Sequence, residues 1–416
     1  MNVIIICLFL LIGIIGLKEV FSKTGPDYTV YKFVNLYVLI FWSIAPLFQY
    51  VNNRYPWSIE ITDEQALIAN IFILFFMLTH NITYKIFSNQ NHTSSSFPIQ
   101  KFKINNSGIF ILLFLQLAIF LFYFIRVGGI VLLRGEPIEA VAGFRAMRLI
   151  IERVFRSFTA FSTILILLNY KNNKKTLELY YCCISVTLMI LTNFPFAIQR
   201  FAAGAFYIGL IFVIKPYFKN RALLYIGLIF LFLIIYPIVG YFRNLEAFGD
   251  HNIAIINTDE FFSGNFDNYS TLNMAMTHVS DHGITYGRQL LGALLFFVPR
   301  AFWPNKPIGS GAYVASVKDW EFTNISMPII GEGYINFGII GIFLFAVLLA
   351  YFVAKFDYKF YQYGKLNFYK IYYPILLGMI FFILRGDLLS SLAFSFGFAF
   401  SAFVVNVIIK KFIKYV

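Results

Sequence analysis

The sequence predicts an all-α polytopic integral membrane protein with about 11–12 transmembrane helices. Two observations predict this fold class. Charged residues make up only 13% of the chain, about half the share of roughly 25% found in soluble domains. The hydrophobic residues, 59% of the total, are gathered in runs of about 20, the length of helix that crosses a bilayer core. Together these properties exclude a soluble protein.

Eleven apolar runs are long enough to be spanning helices. They cover 2–18, 32–51, 66–85, 108–125, 153–170, 177–195, 200–215, 222–242, 331–353, 369–386 and 391–411. No internal repeat of the kind that marks many transporters divides them. We therefore expect residues 1–416 to form a single membrane domain.

Basic residues predict the orientation of these spans, because short cytoplasmic loops are enriched in Lys and Arg. Five short connections are basic, and Asp357 is an isolated acid among them. Their basic residues are Lys101, Lys103, Lys171, Lys174, Lys175, Lys215, Lys219, Arg221, Lys355, Lys359, Lys365, Lys370, Lys410, Lys411 and Lys414. If the C-terminus is cytoplasmic, all five basic connections fall on the cytoplasmic side. An odd number of spans then places the N-terminus outside. The net charge of +13 is thus explained by topology rather than by nucleic-acid binding.

The largest connection, 243–331, has an excess of acidic residues and is predicted to be a large periplasmic or external loop. Within it, the apolar segment 289–303 is too short to span and contains Pro299. It is predicted to be a short re-entrant or interfacial helix. A second outward segment, 126–152, mixes arginines with apolar residues. That mixture is typical of an amphipathic helix at the membrane surface.

The segment VPRAFWPNKPIGSGAY, at 298–313, is the densest candidate site. It places Arg300 and Lys306 on a backbone stiffened by three prolines. A guanidinium fork and an ammonium group suit phosphate oxygens, so the segment is predicted to bind a lipid-linked phosphate. A structural turn that anchors Trp303 at the membrane interface is the alternative.

A second motif, SMPIIGEGYINFGIIG at 326–341, leads into a helix and contains Glu332. Glu332 is either a favourable charge at a helix N-terminus or a general base, or a group that orients one.

Arg200 opens a mid-chain helix, and Arg385 stands near Asp387 at the outer ends of the last two helices. Charged residues at membrane depth are candidates for function, and a snorkelling arginine or a local Arg385–Asp387 contact is the alternative.

Histidine and cysteine give weaker signals. His278 and His282 are four positions apart, a spacing that places two imidazoles on one helix face. No third metal ligand is evident, and either a metal site or a general-base role is a minor alternative. Cys7, Cys182 and Cys183 lie in apolar runs without metal or disulfide spacing. We therefore expect no metal and no cofactor.

The two loop motifs resemble those of the Wzy-type O-antigen and capsular polysaccharide polymerases, a family of bacterial inner-membrane proteins. The matching stretches are Pro299 through Pro307 and Pro328 through Gly338. Arg200 is similar to a family arginine that opens a mid-chain helix, although Gln199 precedes it here. Arg243, in GYFRN, is also similarly placed.

The resemblance implies a GT-C-like, metal-independent membrane glycosyltransferase. Such an enzyme transfers a glycan from undecaprenyl diphosphate onto the non-reducing end of another lipid-linked repeat unit. The expected partners are this lipid-linked oligosaccharide, membrane lipid and a chain-length regulator protein, with the active site facing the periplasm.

The resemblance also assigns roles to the candidate residues. Glu332, Arg300 and Arg200 are the expected catalytic residues. The expected diphosphate- and glycan-binding residues are Arg243, Lys306, Arg288, Arg385, Tyr334 and Trp303. An O-antigen ligase with the same donor, or a flippase or other transporter of lipid-linked oligosaccharide, remains an alternative function.

Overall fold

The computed structural model describes residues 1–23, 25–88, 99–127, 151–195, 197–215, 220–235, 258–318, 320 and 322–415. Helices dominate these residues. The strands found among them are β1 (Phe102–Ile104) and β2 (Ile413–Tyr415), which pair antiparallel. The prediction of an all-α multi-pass membrane protein is confirmed.

The helices of the described residues are numbered in chain order. They are α1 (Asn2–Val20), α2 (Val30–Val51, with a π-helical turn at Ile40–Ile44), α3 (Asp63–Phe87), α4 (Asn106–Val127), α5 (Arg156–Asn173), α6 (Thr176–Thr192), α7 (Arg200–Ile214), α8 (Arg221–Phe230), α9 (Asn268–His282), α10 (Arg288–Leu294), α11 (Ser310–Val317), α12 (Ile329–Tyr361), α13 (Phe368–Arg385) and α14 (Leu388–Lys410). π-helical turns precede α5 and follow α8 at Ile151–Phe155 and Leu231–Ile235.

Seven of these helices, α1 to α4 and α12 to α14, are long and apolar enough to cross a membrane. The shorter apolar helices α6, α7 and α8, together with α5, occupy the other four predicted positions. The predicted helix at 289–303 is helical only over Arg288–Leu294. The predicted amphipathic segment 126–152 lies largely outside the described residues.

The two ends of the bundle differ. One end, called the loop end, carries the connections 52–62, 258–328 and 386–387, and Arg385 pairs there with Asp267. The other, called the basic end, carries 21–29, 362–367 and the β1–β2 pair, where Lys103 lies opposite Lys414. The side chain of Asn70, in the first half of α3, donates to the Ile5 carbonyl. The N-terminus therefore lies at the loop end, which is the relative arrangement that the sequence predicts.

Small residues let the central helices approach closely. A Cβ on Gly209 of α7 would lie 3.0 Å from the Pro374 carbonyl oxygen of α13, and one on Gly378 would lie 2.5 Å from the Ala205 Cα. Such contacts are the usual means of association between helices in a membrane, where the hydrophobic effect between helices is weak. They fix α13, and with it Arg385, against α7.

Helix α12 is broken where the sequence predicts a continuous span. Phe337 has φ −144° and Gly338 has φ +62°, a value that glycine adopts without strain. A Cβ on Gly341 would lie 1.9 Å from the Gly333 carbonyl oxygen, although residues eight apart in a straight helix are about 12 Å apart. The segment 329–336 therefore folds back on the long helix that follows, and this reversal sets the position of Glu332.

Candidate functional site

Glu332 is an almost fully buried acid at the loop end, with 1% of its surface exposed. The Ser310 hydroxyl donates to its Oε2 at 2.7 Å, and the Leu388 amide donates to its Oε1 at 2.7 Å. Ser310 begins α11, Leu388 begins α14, and Glu332 itself lies in the first turn of α12. One carboxylate thus joins the starts of three helices, where helix dipoles favour negative charge.

The rest of the 328–338 motif positions this carboxylate. The Asn336 side chain donates to the Glu332 carbonyl at 2.8 Å and accepts from the Leu290 amide at 2.9 Å. Thr285 donates from its amide to the Ile335 carbonyl at 2.8 Å. The short segment 329–336 is therefore held to the start of α10, and this attachment fixes Glu332 against Ser310.

A second carboxylate, Asp387, stands beside Glu332. It caps α14 by accepting the Ser390 amide at 2.8 Å, and burial raises the pKa of Asp387 above its ordinary value. A Cβ on Gly309 would lie 2.4 Å from the Asp387 Oδ2. The glycine after the proline-rich turn therefore lets the loop backbone cross directly over this acid.

Asp267 is the centre of a polar network that also binds Arg385. The Ser326 hydroxyl and the Arg385 guanidinium both donate to its Oδ1, at 2.7 Å and 3.1 Å, and the Trp57 indole donates to its Oδ2 at 3.1 Å. Arg385 also donates to the Gly264 carbonyl. Arg385 ends α13 and Leu388 begins α14, so only three positions along the chain separate this network from the Leu388 contact with Glu332.

Arg200 begins α7 and lies at the same end. Its Nη1 is 3.7 Å from the Glu260 Oε1, and Glu260 also accepts from Asn265. Glu260 and Asp267 both belong to the segment 258–267. The structure therefore brings Arg200 and Arg385, two residues predicted from the sequence, against one short segment of the loop.

Arg300 and Lys306 are engaged with the loop's own backbone. The Lys306 ammonium donates to the carbonyls of Phe296 and Val298 at 2.6 and 3.1 Å. The exposed Arg300 donates to the Lys306 carbonyl at 2.6 Å. Burial and the adjacent guanidinium lower the pKa of Lys306. Both cations thus fix the shape of the turn 296–307.

The remaining predicted residues are dispersed. Arg288 is exposed at the start of α10, and Trp303 is half-buried in the turn 296–307. The Tyr334 ring lies 5.0 Å from that of Phe72 on α3, on a contact that packs α12 against its neighbour. Arg243 lies outside the described residues.

His278 and His282 stack with ring centroids 4.8 Å apart, and His278 also contacts the Tyr313 ring edge-on at 5.0 Å. Burial, reinforced by the charges of His282 and Lys318, lowers the pKa of His278. Within the described part of the chain, no three His, Cys, Asp or Glu side chains gather where they could hold a metal ion.

The basic end holds a different polar centre. Asp357 accepts hydrogen bonds from the Val30 and Tyr31 amides and from the Tyr84 and Tyr373 hydroxyls, at 2.6–3.3 Å. A cavity of about 610 Å³ opens beside it. Because four protein donors already saturate this carboxylate, we assign it to anchoring the start of α2 rather than to chemistry.

Some members of the site have no sequence motif. Asp267 and Trp57 are more than 200 residues apart in the chain, and each lies in an irregular connection. Ser310 closely follows the proline-rich turn, which the sequence does single out, but a serine there is equally typical of a helix start.

The fold and these contacts define a multi-pass helical membrane protein with a buried carboxylate and two paired arginines at one end. No family model, no curated protein and no solved structure matches this chain.

Proposed function

We propose that the protein is a membrane glycosyltransferase that polymerises lipid-linked oligosaccharide repeat units. The observation that carries the proposal is the buried Glu332 carboxylate, which accepts hydrogen bonds from Ser310 and from Leu388, three residues after Arg385 of the Arg385–Asp267 pair. The resemblance of the 299–307 and 328–338 motifs to repeat-unit polymerases supports the same assignment.

The chemistry needs few protein groups. The acceptor hydroxyl loses its proton, its oxygen bonds to the anomeric carbon of the donor glycan, and the bond to undecaprenyl diphosphate breaks. The leaving diphosphate keeps the electron pair and has a low pKa, so it needs cations rather than a general acid. The proton of the hydroxyl needs a base, or water positioned by one.

Arg385 and Arg200 supply cations at the loop end. Each is paired with an acid, Asp267 or Glu260, and is partly exposed. A diphosphate that replaces part of these contacts would receive charge-assisted hydrogen bonds from a planar guanidinium. Arg300 is exposed and adds a third cation beside the turn, and Arg288 adds a fourth at the start of α10. Lys306 acts indirectly, by holding the turn on which Arg300 stands.

Glu332 acts as a positioning residue. Both of its oxygens already accept hydrogen bonds, and the side chain is almost fully buried. In this role its charge orients the Ser310 hydroxyl and the start of α14, and thereby the neighbouring Asp387. Burial raises the pKa of Asp387 above its ordinary value, which is the direction that makes a carboxylate a stronger base.

The charge distribution supports a periplasmic location for this end. Lysines cluster at the basic end, as the cytoplasmic side of a multi-pass protein requires. The polymerase would then work on the outer face of the bacterial inner membrane, where a chain-length regulator would also act.

The function is tested by analysing lipid-linked glycans in cells that make the protein. We expect ladders of repeat units on undecaprenyl diphosphate, and we expect Arg385→Gln to reduce them to single units. Lys355→Gln, a matched loss of charge at the basic end, should leave the ladder intact. Glycans found only on lipid A core would favour a ligase, and single units that merely change membrane side would favour a flippase. Either result would overturn the polymerase.

A further inference from the structure

The cavity of about 610 Å³ beside Asp357 lies among the ends of four helices at the basic end. Its walls come from the last turns of α1 and α3, the start of α2 and the last turns of α12, and it is called the basic-end cavity. Five charged side chains of the described residues line it: Lys18, Glu19, Lys32, Lys85 and Asp357. The volume lies within the range of about 300–1,000 Å³ typical of small-molecule sites.

The two acids of the basic-end cavity are already bonded to protein groups. Asp357 is 5% exposed and accepts the four hydrogen bonds described above. Glu19 accepts from the Lys85 ammonium at 2.6 Å, and 11% of the Glu19 side chain is exposed against 51% of the Lys85 side chain. The cation is therefore the more accessible partner of this pair. Since an ammonium has three N–H donors, Lys85 can bind Glu19 and a second anion together.

The lysines make the cavity cationic. Lys18 is exposed in the last turn of α1. Lys32 is 3% exposed, and its ammonium donates to the Ser22 and Pro26 carbonyls, both at 3.0 Å. Ser22 and Pro26 also line the cavity, so this buried cation fixes one of its walls. Three lysines against two acids leave a net charge of +1 in the described lining, which suits a phosphate group.

The helix faces that lead to Lys18 and Lys85 are apolar and exposed. Leu11 and Ile14 precede Lys18 at the spacing of one face of α1, and Leu78 and Ile82 precede Lys85 in the same way on α3. These four apolar side chains are 42–62% exposed. On helices that cross a membrane, such faces contact acyl chains, and a lysine at the end of the face lies at the level of the lipid headgroups.

We propose that the basic-end cavity binds the phosphate headgroup of an anionic glycerophospholipid. Lys18 and Lys85 donate to the phosphate oxygens, and the acyl chains lie along the exposed faces of α1 and α3. The lysines favour an anionic lipid over a zwitterionic one, and basic pockets between spanning helices commonly bind anionic headgroups. The apolar faces favour a lipid over a free anion. This site lies at the opposite end from Glu332 and does not depend on the proposed function.

The test uses the full-length protein, purified in detergent and freed of bound lipid. Phosphatidylglycerol and phosphatidylethanolamine with identical acyl chains are titrated separately, and native mass spectrometry measures the bound fraction. We expect phosphatidylglycerol to bind about tenfold or more tightly than phosphatidylethanolamine, because it carries the net negative charge. Phosphatidylglycerol should also raise the unfolding temperature, as a ligand of the folded state does.

The variants remove one cation at a time. Lys18→Gln should weaken phosphatidylglycerol about fivefold, the usual effect of one lysine near an anionic headgroup. Without lipid, its unfolding temperature should match that of wild type, because Lys18 is exposed. Lys18→Gln combined with Lys85→Gln should weaken binding about 25-fold. Lys410→Gln is the matched control, an exposed lysine in the last turn of α14 that does not line the cavity, and it should bind as wild type does.

A soluble probe separates a lipid site from a free-anion site. Glycerophosphoglycerol is the same headgroup without acyl chains, and it should bind about 100-fold or more weakly than phosphatidylglycerol, because it lacks the apolar contacts. Equal affinity for the two would make the cavity a site for soluble anions and overturn the lipid. Equal affinity for the two phospholipids, wild-type affinity in Lys18→Gln, or equal losses in Lys18→Gln and Lys410→Gln would each overturn the site.

Discussion

Glu332 gives the sharpest prediction, because its charge and its hydrogen bonds can be removed separately. In Glu332→Gln, the amide oxygen can still accept from the Leu388 amide, and the amide nitrogen can donate to the Ser310 oxygen. In Glu332→Ala, both donors, each 2.7 Å from the carboxylate, lose their acceptor. The first variant therefore removes charge alone, and the second also removes the connection between three helix starts.

The magnitudes follow from these contacts. A buried donor left without an acceptor costs about 1–3 kcal/mol, so Glu332→Ala should lose about 2–6 kcal/mol of stability. Glu332→Gln should lose less than about 1 kcal/mol, because the weaker hydrogen bonds of a neutral amide are offset by the lower cost of burying it. Both variants lose the charge that orients the site, so turnover should fall about 10²-fold in each, the cost of misplacing a reacting group.

The assay measures three quantities on detergent-purified protein. Thermal unfolding gives stability, calorimetry with the lipid-linked donor gives affinity, and the rate of product formation gives turnover. We expect Glu332→Gln to retain wild-type stability and donor affinity and to lose turnover. Ser310→Ala, which removes one of the two donors, should have an intermediate effect on turnover.

Two results would refute this reasoning. If Glu332→Gln unfolds as early as Glu332→Ala, the carboxylate is a structural anchor whose charge is essential to the fold. If Glu332→Gln turns over at the wild-type rate, the charge has no part in the reaction. In either case the buried carboxylate would no longer support the proposed function.

Three further predictions concern the fold, the pH dependence of stability and the membrane orientation. Gly341→Ala should prevent folding, because its Cβ would lie 1.9 Å from a backbone carbonyl oxygen. The control Gly227→Ala, whose Cβ would have no atom within 4 Å, should unfold at the wild-type temperature. Accumulation of folded Gly341→Ala would contradict the reversal in α12. The lowered pKa of His278 means that the unfolded chain binds a proton where the folded chain does not. Stability should therefore fall as the pH drops below about 6.5, and His278→Phe should flatten this slope in urea titrations at pH 5–8. In a background without native cysteines, a membrane-impermeant maleimide added to intact spheroplasts should label Ser58→Cys but not Tyr363→Cys; the reverse pattern would place the loop end in the cytoplasm.

Most of the fold could be predicted from the sequence, because a bilayer imposes a simple requirement on apolar length. All eleven predicted spans overlap helices in the described part of the chain, although four of these helices are shorter or less apolar than the rest and the span at 331–353 contains a break. The break at Phe337–Gly338 could not be predicted, because the apolar run continues through it. The close contact between Gly333 and Gly341 is a tertiary contact, and the pattern of residues in an apolar run does not predict it.

The site was predictable only in part. Glu332, Arg200 and Arg385 stand out because charge near a membrane span is rare, and the structure brings all three to the loop end. Their partners could not be assigned, since Asp267 follows Arg200 and precedes Arg385 by dozens of residues. The roles of Arg300 and Lys306 could not be predicted either. The sequence around a basic residue does not show whether its side chain binds phosphate or the loop's own carbonyls.

The most direct test of the central claim is a reaction with purified components. The protein is incubated in detergent with one synthetic undecaprenyl-diphosphate-linked repeat unit as the sole substrate and with a chelator, and the lipid-linked products are separated by mass. Dimers and longer chains should form together with free undecaprenyl diphosphate, one carrier for each bond made. If the single repeat unit is recovered unchanged while folded protein binds it, the loop end is not a polymerase site.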